Sequence, residues 1–458
     1  MKLLPPVRAW VLLTPLVWPA APALAHAGFP DTTSVTVRRD HPEDMLLGAT
    51  FGAVLTRDNG KTWRLLCREG LGTGGWLPES YLWQPDGTLL AATGAHLIRS
   101  KDNGCTWTPH AYFTSQGLWP MSVASPASQP SRLWVTTARS GVSNGVFRSD
   151  DGGETFTATL QRTDAVFTAV KVAPSDTRRL YVSGATPDGL RLFRSDNEGA
   201  TWEEIPQPFP EYSTKARPYD LFVLKVSDTD PNRLWARVTS QLRTYILESQ
   251  DGGRTFTSVL YPANQTEDGL NDVFIGLETS ADGNTLWVAT QVSLYRSRNR
   301  ERAVLLSLPE GNACVQRQGE ALLVCGASRL HDWALARTTD EGDSYTPLLN
   351  LPQLLPTACP KDTPVHDTCR RYWPQFAETI GADPTLPPEE SDADAGTGEL
   401  DAGTVDPGPG TPDAGTPPGD PKPPSKPDGC STTGGLVPAA GFLALTLLRR
   451  FRRRNPEN

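Results

Sequence analysis

The residue types that could carry chemistry recur in one short arrangement. The stretch SDDGGETF (149–156) places a hydroxyl, a carboxylate, glycines, a second hydroxyl and an aromatic ring within eight residues. The same plan returns in TRDNGKTW (56–63), SKDNGCTW (100–107) and SQDGGRTF (249–256). A carboxylate between two hydroxyls could bind a metal ion, serve as an acid or base, or accept hydrogen bonds within a tight turn. We call each such eight-residue stretch a box.

The metal-binding interpretation of the boxes is the weaker one. The boxes lack the run of oxygen ligands and the closing glutamate of an EF-hand loop. The six histidines are scattered without the spacing of zinc ligands. The glycine-rich stretch GLGTGG (70–75) lacks the Lys-Ser/Thr of a phosphate loop. The sequence therefore predicts no metal site and no cofactor.

Three further copies of the box complete a repeat. They are SDNEGATW (195–202), TTDEGDSY (338–345) and the worn copy SRNRERAV (297–304). The first residues of successive boxes are 41 to 54 residues apart. A short β-rich run precedes each box, and another precedes that run. This period, with four short strands per repeat, predicts a β-propeller in which the box is the turn from the third strand to the fourth.

Each box position has a physical role in such a turn. The Asp or Asn accepts backbone N–H bonds, the Gly supplies a backbone angle that costs other residues energy, and the ring packs between blades. The residues assigned to these roles are Asp58, Gly60, Trp63, Asp102, Gly104, Trp107, Asp151, Gly153, Phe156, Asn197, Gly199, Trp202, Asp251, Gly253, Phe256, Asp340 and Gly342.

The pattern S/T-x-D-x-G-x-T-W/F resembles the Asp-box, or BNR repeat. This repeat is known from sialidases, sortilin-type receptors, some xyloglucan-degrading enzymes and a photosystem assembly factor. The resemblance covers about residues 30–350. It implies an all-β fold, a seven-bladed β-propeller, in which the box is a structural turn that usually lies away from the ligand face. We therefore expect the boxes to fold the chain and to do no chemistry themselves.

The sequence assigns no catalytic residue. Sialidases carry an Arg-Ile-Pro-like motif before the first box, and no such motif precedes Thr56; Arg38 and Arg39 belong to a first strand and its turn. Other glycosidases need two carboxylates across a cleft, a spacing that sequence does not reveal. We expect a binding or scaffolding module for an extracellular protein or glycan. The alternative is a glycoside hydrolase, sialidase-like or xyloglucanase-like.

Two connections are candidates for ligand contact, because propellers bind with loops near the central channel. The longest connection, 203–220, offers Tyr212, Lys215, Arg217 and Tyr219, and the stretch 112–121 adds Trp119. Aromatic rings beside arginines suit a sugar, a peptide or another protein. The alternative is that the long loop packs against itself.

Six cysteines precede residue 382, and a seventh, Cys430, follows. An even set suggests disulfides in an exported protein, although buried thiols are the alternative. Cys314 and Cys325 flank a hairpin pattern, Cys359 and Cys369 close a short loop, and Cys67 and Cys105 remain to pair by elimination. A helix is expected just after Cys369.

Residues 1–27 have the basic start, apolar stretch and small residues of a signal peptide, with a membrane anchor as the alternative. Cleavage would fall after Ala25 or Ala27. The propeller is expected over 28–381. Residues 382–429 are rich in Pro, Gly, Asp and Thr and predict a disordered stalk.

The last segment, 430–458, joins Cys430 to a short hydrophobic helix and an arginine cluster. It resembles the C-terminal sorting tails described from myxobacteria. The resemblance implies a sorting protease as partner, lipid modification or processing at Cys430, and display on the surface or outer membrane of a Gram-negative bacterium. An ordinary membrane anchor is the alternative. The mild net charge of −9 over 458 residues does not indicate nucleic-acid binding.

Overall fold

The computed structural model describes residues 32–72, 81–207, 218–240, 243–260, 270, 273–291, 293–306 and 314–386. All of them belong to one compact unit, Met1–Ala395. The expected signal peptide, most of the stalk, Cys430 and the tail lie outside the described residues. Of the helices in the described ranges, none is both long and apolar enough to cross a membrane.

Seven four-stranded antiparallel sheets form the ring, so the prediction of a seven-bladed β-propeller is confirmed. Blade 1 contains β1 (Thr32–Val37), β2 (Met45–Ala49), β3 (Gly52–Thr56) and β4 (Arg64–Cys67). Blade 2 contains β5 (Tyr81–Trp83), β6 (Leu89–Ala92), β7 (Leu97–Ser100) and β8 (Thr108–Pro109). Blade 3 contains β9 (Pro120–Ala124), β10 (Leu133–Thr137), β11 (Asn144–Ser149) and β12 (Thr157–Arg162).

The remaining blades follow the same order along the chain. Blade 4 contains β13 (Val166–Ala173), β14 (Asp176–Thr186), β15 (Gly189–Ser195) and β16 (Glu203–Pro206). Blade 5 contains β17 (Asp220–Val226), β18 (Leu234–Thr239), β19 (Thr244–Ser249) and β20 (Thr257–Ser258). Blade 6 contains β21 (Phe274–Thr279), β22 (Thr285–Thr290), β23 (Leu294–Arg298) and β24 (Val304–Leu306). Blade 7 contains β25 (Val315–Gln318), β26 (Ala321–Cys325), β27 (Leu335–Thr338) and β28 (Thr346–Leu349).

The second and third strands of the blades are mostly buried, because neighbouring blades cover both of their faces. Large rings fill the spaces between blades. Trp134 and Phe193 join blades 3 and 4, and Trp235 and Tyr295 join blades 5 and 6. Each sheet thus buries its faces against its neighbours, as in other repeat folds.

In the described residues, three α-helices accompany the strands: α1 (Ala111–Ser115), α2 (Ser328–His331) and the longer α3 (Pro364–Ile380). The helix expected after Cys369 is therefore longer than predicted and begins before that cysteine. Thr363 caps its start by accepting from the His366 N–H at 3.4 Å, and Gly381, with φ of 76°, ends it.

We call residues 350–383 the strap, because they connect the end of blade 7 back to blades 1 and 2. Leu355 forms a parallel bridge with Arg64 on the outer strand of blade 1, through N–H···O distances of 2.9 and 3.0 Å. Helix α3 then packs on β4 and the 3-10 turn Arg68–Leu71. The ring centroids of Phe376 and Phe51 lie 4.7 Å apart. The bridge covers an exposed sheet edge and closes the ring.

The six cysteines before residue 382 form three disulfides, which confirms that they are bonded. The pairing Cys314–Cys325 is as predicted. The other two predicted pairings are wrong, because Cys67 joins Cys369 and Cys105 joins Cys359. The reason is ring closure: the strap brings residues 302 and 254 positions apart in sequence into contact. Both disulfides fasten the strap to blades 1 and 2.

Candidate functional site

The box carboxylates accept hydrogen bonds from groups in their own turns. In the first box, Asp58 Oδ1 accepts from the Lys61 and Thr62 N–H groups at 2.9 Å and from the Thr56 hydroxyl at 2.8 Å. Its Oδ2 accepts from the Thr62 hydroxyl at 2.7 Å. The Gly60 N–H donates to the Thr56 hydroxyl at 3.0 Å. Both Asp58 carboxylate oxygens accept hydrogen bonds within the turn, so this side chain stabilises the turn.

In the other boxes, the backbone N–H four residues further on donates to Asp102, Asp151, Asp251 or Asp340, as the Thr62 N–H does to Asp58. Asn197 replaces the carboxylate in the fourth box, where its Oδ1 accepts from the Thr201 N–H at 2.8 Å. In the worn sixth box, the Ser297 hydroxyl donates instead to the Glu301 carbonyl, at 2.7 Å. Among the described residues, no group of three or more His, Cys, Asp or Glu side chains could hold a metal ion.

Strand order places the boxes at one end of the ring. In each antiparallel blade, the turn between strands one and two lies at the same end as the turn between strands three and four. We call this end the box face. The opposite end, which we call the loop face, carries the turns between strands two and three and the connections between blades. It therefore carries the stretch 112–121 and the described ends of the connection 203–220.

The first predicted ligand residue, Trp119, lies on the loop face at the start of blade 3. The guanidinium of Arg139 stacks over its indole, with Cζ 5.2 Å from the ring centroid. Arg139 also donates to the Gly117 carbonyl, which holds it over the ring. Next to Trp119, Met121 keeps 36% of its surface exposed. This part of the loop face therefore offers an apolar surface beside a fixed cation.

A second aromatic–arginine cluster lies on the loop face of blades 5 and 6. Tyr219, 37% exposed, precedes Asp220, whose Oδ2 lies 2.9 Å from Arg237 Nη2. The Arg237 guanidinium lies 5.1 Å from the Phe222 ring and 5.6 Å from the Phe274 ring. Its Nε is buried without a hydrogen-bond partner among the described residues. This cluster combines flat apolar faces with a charged hydrogen-bonding edge.

The structure thus brings two of the four predicted ligand residues, Trp119 and Tyr219, to the same face. The other two, Tyr212 and Arg217, together with Lys215, lie outside the described residues. Sequence reasoning missed Arg139 and Arg237. A local pattern in the sequence could have indicated Arg237. In the stretch RLWARV it follows Trp235 by two residues, so the arginine and an aromatic side chain lie on the same face of the strand.

Charged side chains also line the channel wall formed by the first strands. Lys225 pairs with Glu278, and Arg317 pairs with Asp228. Glu278 is only 4% exposed, and its oxygens also accept from the Thr279 N–H at 2.8 Å and the Arg317 N–H at 3.1 Å. In the described part of the wall, these carboxylates are therefore occupied by cations.

A cleft of about 430 Å³ opens on the outer side between blades 2 and 3. Glu154 lies there between Arg99 at 2.8 Å and Lys101 at 2.5 Å, and these hydrogen bonds from Lys101 and Arg99 lower the pKa of Glu154. His110 packs edge-on against Phe156, with ring centroids 5.1 Å apart. The cleft holds one carboxylate, which is already paired with two cations.

Comparison with known proteins supports the propeller fold. No family model matches the chain. An ancestral GH74 enzyme superposes with a TM-score of 0.51 at 13% identity, over 69% of this chain and 46% of that one. YCF48 from Cyanidioschyzon merolae superposes with a TM-score of 0.46 at 13% identity, over 64% of this chain and 92% of that one. The chain is thus a seven-bladed propeller with structural neighbours among GH74 enzymes and YCF48.

One curated protein shares recognisable sequence. It is a xyloglucanase of Hypocrea jecorina, 32% identical over 118 residues. This similarity spans 26% of this chain and 13% of the xyloglucanase. The chain also spans less than half of the GH74 enzyme above.

Proposed function

We propose that this protein is an exported binding module whose loop face holds a polysaccharide. The observation that carries the proposal is the pair of aromatic–arginine clusters on one face, Trp119 with Arg139 and Phe222 with Arg237. Ligand sites combine apolar and aromatic surface with a few placed polar groups. A sugar ring needs both, because its C–H face is apolar and its hydroxyls need hydrogen-bond partners.

One fact favours a polysaccharide over a protein ligand: sequence similarity over 118 residues links the chain to a protein named for acting on xyloglucan. The arginines are held by Gly117 and Asp220, so little side-chain freedom is lost when any ligand binds. A protein partner remains the result expected if no polysaccharide binds.

The cellular setting is part of the proposal. Three disulfides are consistent with an exported protein, because such bonds persist in oxidising compartments. We place a signal peptide at 1–27, the propeller at 28–381, a stalk at 382–429 and a sorting segment at 430–458, with Cys430 as the processed or lipid-modified residue. Mass spectrometry of the mature protein tests this. An intact arginine tail on protein from the cell surface would contradict processing.

The test of binding uses affinity electrophoresis and titration calorimetry of the purified protein with xyloglucan, mixed-linkage β-glucan and mannan. We expect binding to at least one β-glucan, and at least about tenfold weaker binding in the Trp119→Ala variant, because a central aromatic contributes roughly 2 kcal/mol or more. Leu305→Ala is the matched control. Leu305 is 45% exposed on the outer strand of blade 6, so its removal should leave binding unchanged.

Two results would contradict the proposal. One is the absence of binding to every polysaccharide offered. The other is an equal affinity of the Trp119→Ala variant and the unmodified protein, which would move the ligand away from this cluster.

Glycoside hydrolysis is the second candidate, favoured by the 118-residue similarity to a xyloglucanase. Such chemistry uses two carboxylates about 5 to 9.5 Å apart on either side of the bond. On the described loop face and channel wall, Asp220, Asp228 and Glu278 are each paired with a cation. An assay for reducing ends released from xyloglucan distinguishes the two candidate functions. Binding without release of reducing ends supports the binding module. Release of reducing ends by protein that has been purified a second time supports the hydrolase.

A further inference from the structure

The cleft between blades 2 and 3 is a site that the proposed function leaves unused. Its volume of about 430 Å³ lies within the range typical of small-molecule sites. One wall is formed by residues 108–112 of blade 2 and the chain that follows it, and the other by residues 154–156, which end the third box. Because both walls are parts of the folded ring, the cleft is formed before any ligand arrives.

The base of the cleft is aromatic and is held firmly from behind. Phe156, 8% exposed, meets His110 and Phe113 edge-on, with ring centroids 5.1 and 5.0 Å apart. Tyr112, which also lines the cleft, meets Phe113 at 5.4 Å. His110 Nε2 lies 3.2 Å from the Glu154 carbonyl oxygen, which joins the two walls. These interlocked rings lose little freedom on binding, so they suit the flat apolar face of a ligand ring.

The edge of the cleft carries two cations and one carboxylate. Arg99 and Lys101 both contact the same Glu154 oxygen, Oε1, at 2.8 and 2.5 Å. Among the described residues, Arg99 makes its polar contacts through Nη1 alone, which also lies 3.4 Å from the Gly153 carbonyl oxygen. Its Nε and Nη2 groups therefore remain for a second acceptor. The side chains of Lys101 and Glu154 are 60% and 48% exposed, and so exposed an ion pair is easily exchanged.

This combination favours an anionic ring with hydroxyl groups. Two positive charges face one negative charge, so a further anion is attracted and a cation is not. Glu154 itself shows that a carboxylate fits between the two cations, and a guanidinium can bind both carboxylate oxygens in a fork. The hydroxyl-bearing side chains of Thr108 and Tyr112 also line the cleft. Sugar hydroxyls need such partners, whereas a plain aromatic acid does not.

We propose that this cleft binds a uronate residue of an acidic polysaccharide. The apolar face of the sugar ring packs over Phe156 and Tyr112. The sugar carboxylate takes the place of Glu154 beside Arg99 and Lys101, and the Glu154 side chain turns toward water. The site shares no residue with the aromatic–arginine clusters of the loop face. It therefore goes beyond the proposed function, and either proposal can fail without the other.

The test is titration calorimetry of the intact purified protein at low ionic strength. The probes are tetramers of galacturonate, glucuronate and mannuronate, each compared with its own methyl ester, which keeps the shape and removes the charge. We expect at least one acidic tetramer to bind at least about tenfold more tightly than its ester, because charge-assisted hydrogen bonds are lost in the ester.

Glu154→Gln is the most informative variant, because it keeps the size of the side chain and removes the competing charge. We expect it to bind the acidic tetramer at least about threefold more tightly and the ester unchanged, a gain that damage to the cleft would not produce. Lys101→Gln should bind the acid at least about threefold more weakly. Arg298→Gln is the matched control and should bind it unchanged. Arg298 forms a similarly exposed ion pair between blades 6 and 7, with its Nε 2.8 Å from Glu341 Oε2.

Four results would overturn the proposal. They are the absence of binding of every acidic tetramer, equal affinity for acid and ester, an affinity for the acid that is not raised in Glu154→Gln, and one that is not lowered in Lys101→Gln. Tighter binding of N-acetylphenylalanine than of any uronate would assign the cleft to an aromatic acid and would also overturn it. Binding of neutral β-glucans is measured separately, so each of these failures leaves the loop-face proposal standing.

Discussion

In the third box, Asp151 receives four hydrogen bonds through its two carboxylate oxygens. Ser149, Glu154 and Thr155 supply them, the shortest being 2.6 Å from the Thr155 hydroxyl. Next to it, Gly152 and Gly153 have φ of 73° and 89°, in the left-handed region. The turn is therefore held by one side chain and permitted by two glycines.

We expect the Asp151→Ala variant to lose about 1–2 kcal/mol of unfolding free energy, because several backbone and hydroxyl donors lose their acceptor. Urea denaturation followed by tryptophan fluorescence measures it. The chain provides its own control: Asn197 fills the same position in the fourth box and keeps both its backbone and its Thr201 hydroxyl bonds. Asp151→Asn should therefore cost clearly less than Asp151→Ala. Equal losses would show that the carboxylate's charge, and not its acceptor geometry, holds the turn.

At this scale the sequence predicts much of the box and little of the ligand surface. The hydroxyl, Asp and Gly positions lie within eight residues, so local spacing is sufficient to recognise them. The sequence does not predict the conformation before the box glycine: Glu198 and Glu341 adopt φ of 58° and 60° there, although such residues rarely do. Arg237 over Phe274 and Lys101 beside Glu154 depend on register between separate blades, which no local pattern encodes.

Among the elements, the strap helps to join the last blade to the first, as a shared strand does in many closed sheets. Each blade is made of four consecutive strands, so blades 1 and 7 share no strand. Side-chain bonds cross their boundary instead, such as Trp63 Nε1 to the Leu348 carbonyl at 3.0 Å. The strap reinforces this boundary with the Leu355 bridge, helix α3 and two disulfides.

Removing the strap disulfides should weaken ring closure cooperatively. We expect the Cys67→Ser/Cys369→Ser variant to lose about 2–4 kcal/mol, because the cross-link limits the unfolded chain. Removing both strap disulfides should cost more than twice that amount, since a remaining one still ties the strap to the ring. Thermal and urea unfolding of the three variants measures this.

The hairpin disulfide is the matched control for these variants. Cys314 and Cys325 are only 11 residues apart, so the Cys314→Ser/Cys325→Ser variant should cost less and leave blades 1 and 2 as resistant to proteases as before. Strictly additive losses for the two strap disulfides would contradict the shared role given to them. This local pair was predictable from a hairpin pattern; the strap pairs were not, because the ring must close before those residues meet.

For the whole molecule, the boxes predict a loss of stability in acid. Burial would raise the pKa of Asp251, but the hydrogen bonds from Thr255 and Ser249 outweigh it and lower that pKa to about 2. The pKa values of Asp58, Asp151 and Asp340 are lowered as well. A carboxyl group whose pKa is lower in the folded state stabilises the fold above its unfolded pKa and loses that contribution as pH falls.

We therefore expect the unfolding free energy to fall as pH decreases from about 4 to about 2, the interval between the ordinary Asp pKa and that of Asp251. Urea titrations at half-unit pH steps measure this. The Asp251→Asn variant lacks one such group and should lose less stability over the same interval. Parallel curves for the variant and the unmodified protein would show that the acid sensitivity arises elsewhere.

The position of the strap at the end of the folded segment has a consequence for biogenesis. Residues 350–383 are synthesised after all seven blades, yet blades 1 and 2 depend on them for a covered edge and for two covalent bonds. The outer strand of blade 1 therefore keeps an uncovered edge during synthesis, until almost the entire domain has left the ribosome. A chain interrupted before residue 355 would lack the Leu355 bridge and both strap disulfides, and would leave the outer edge of blade 1 uncovered.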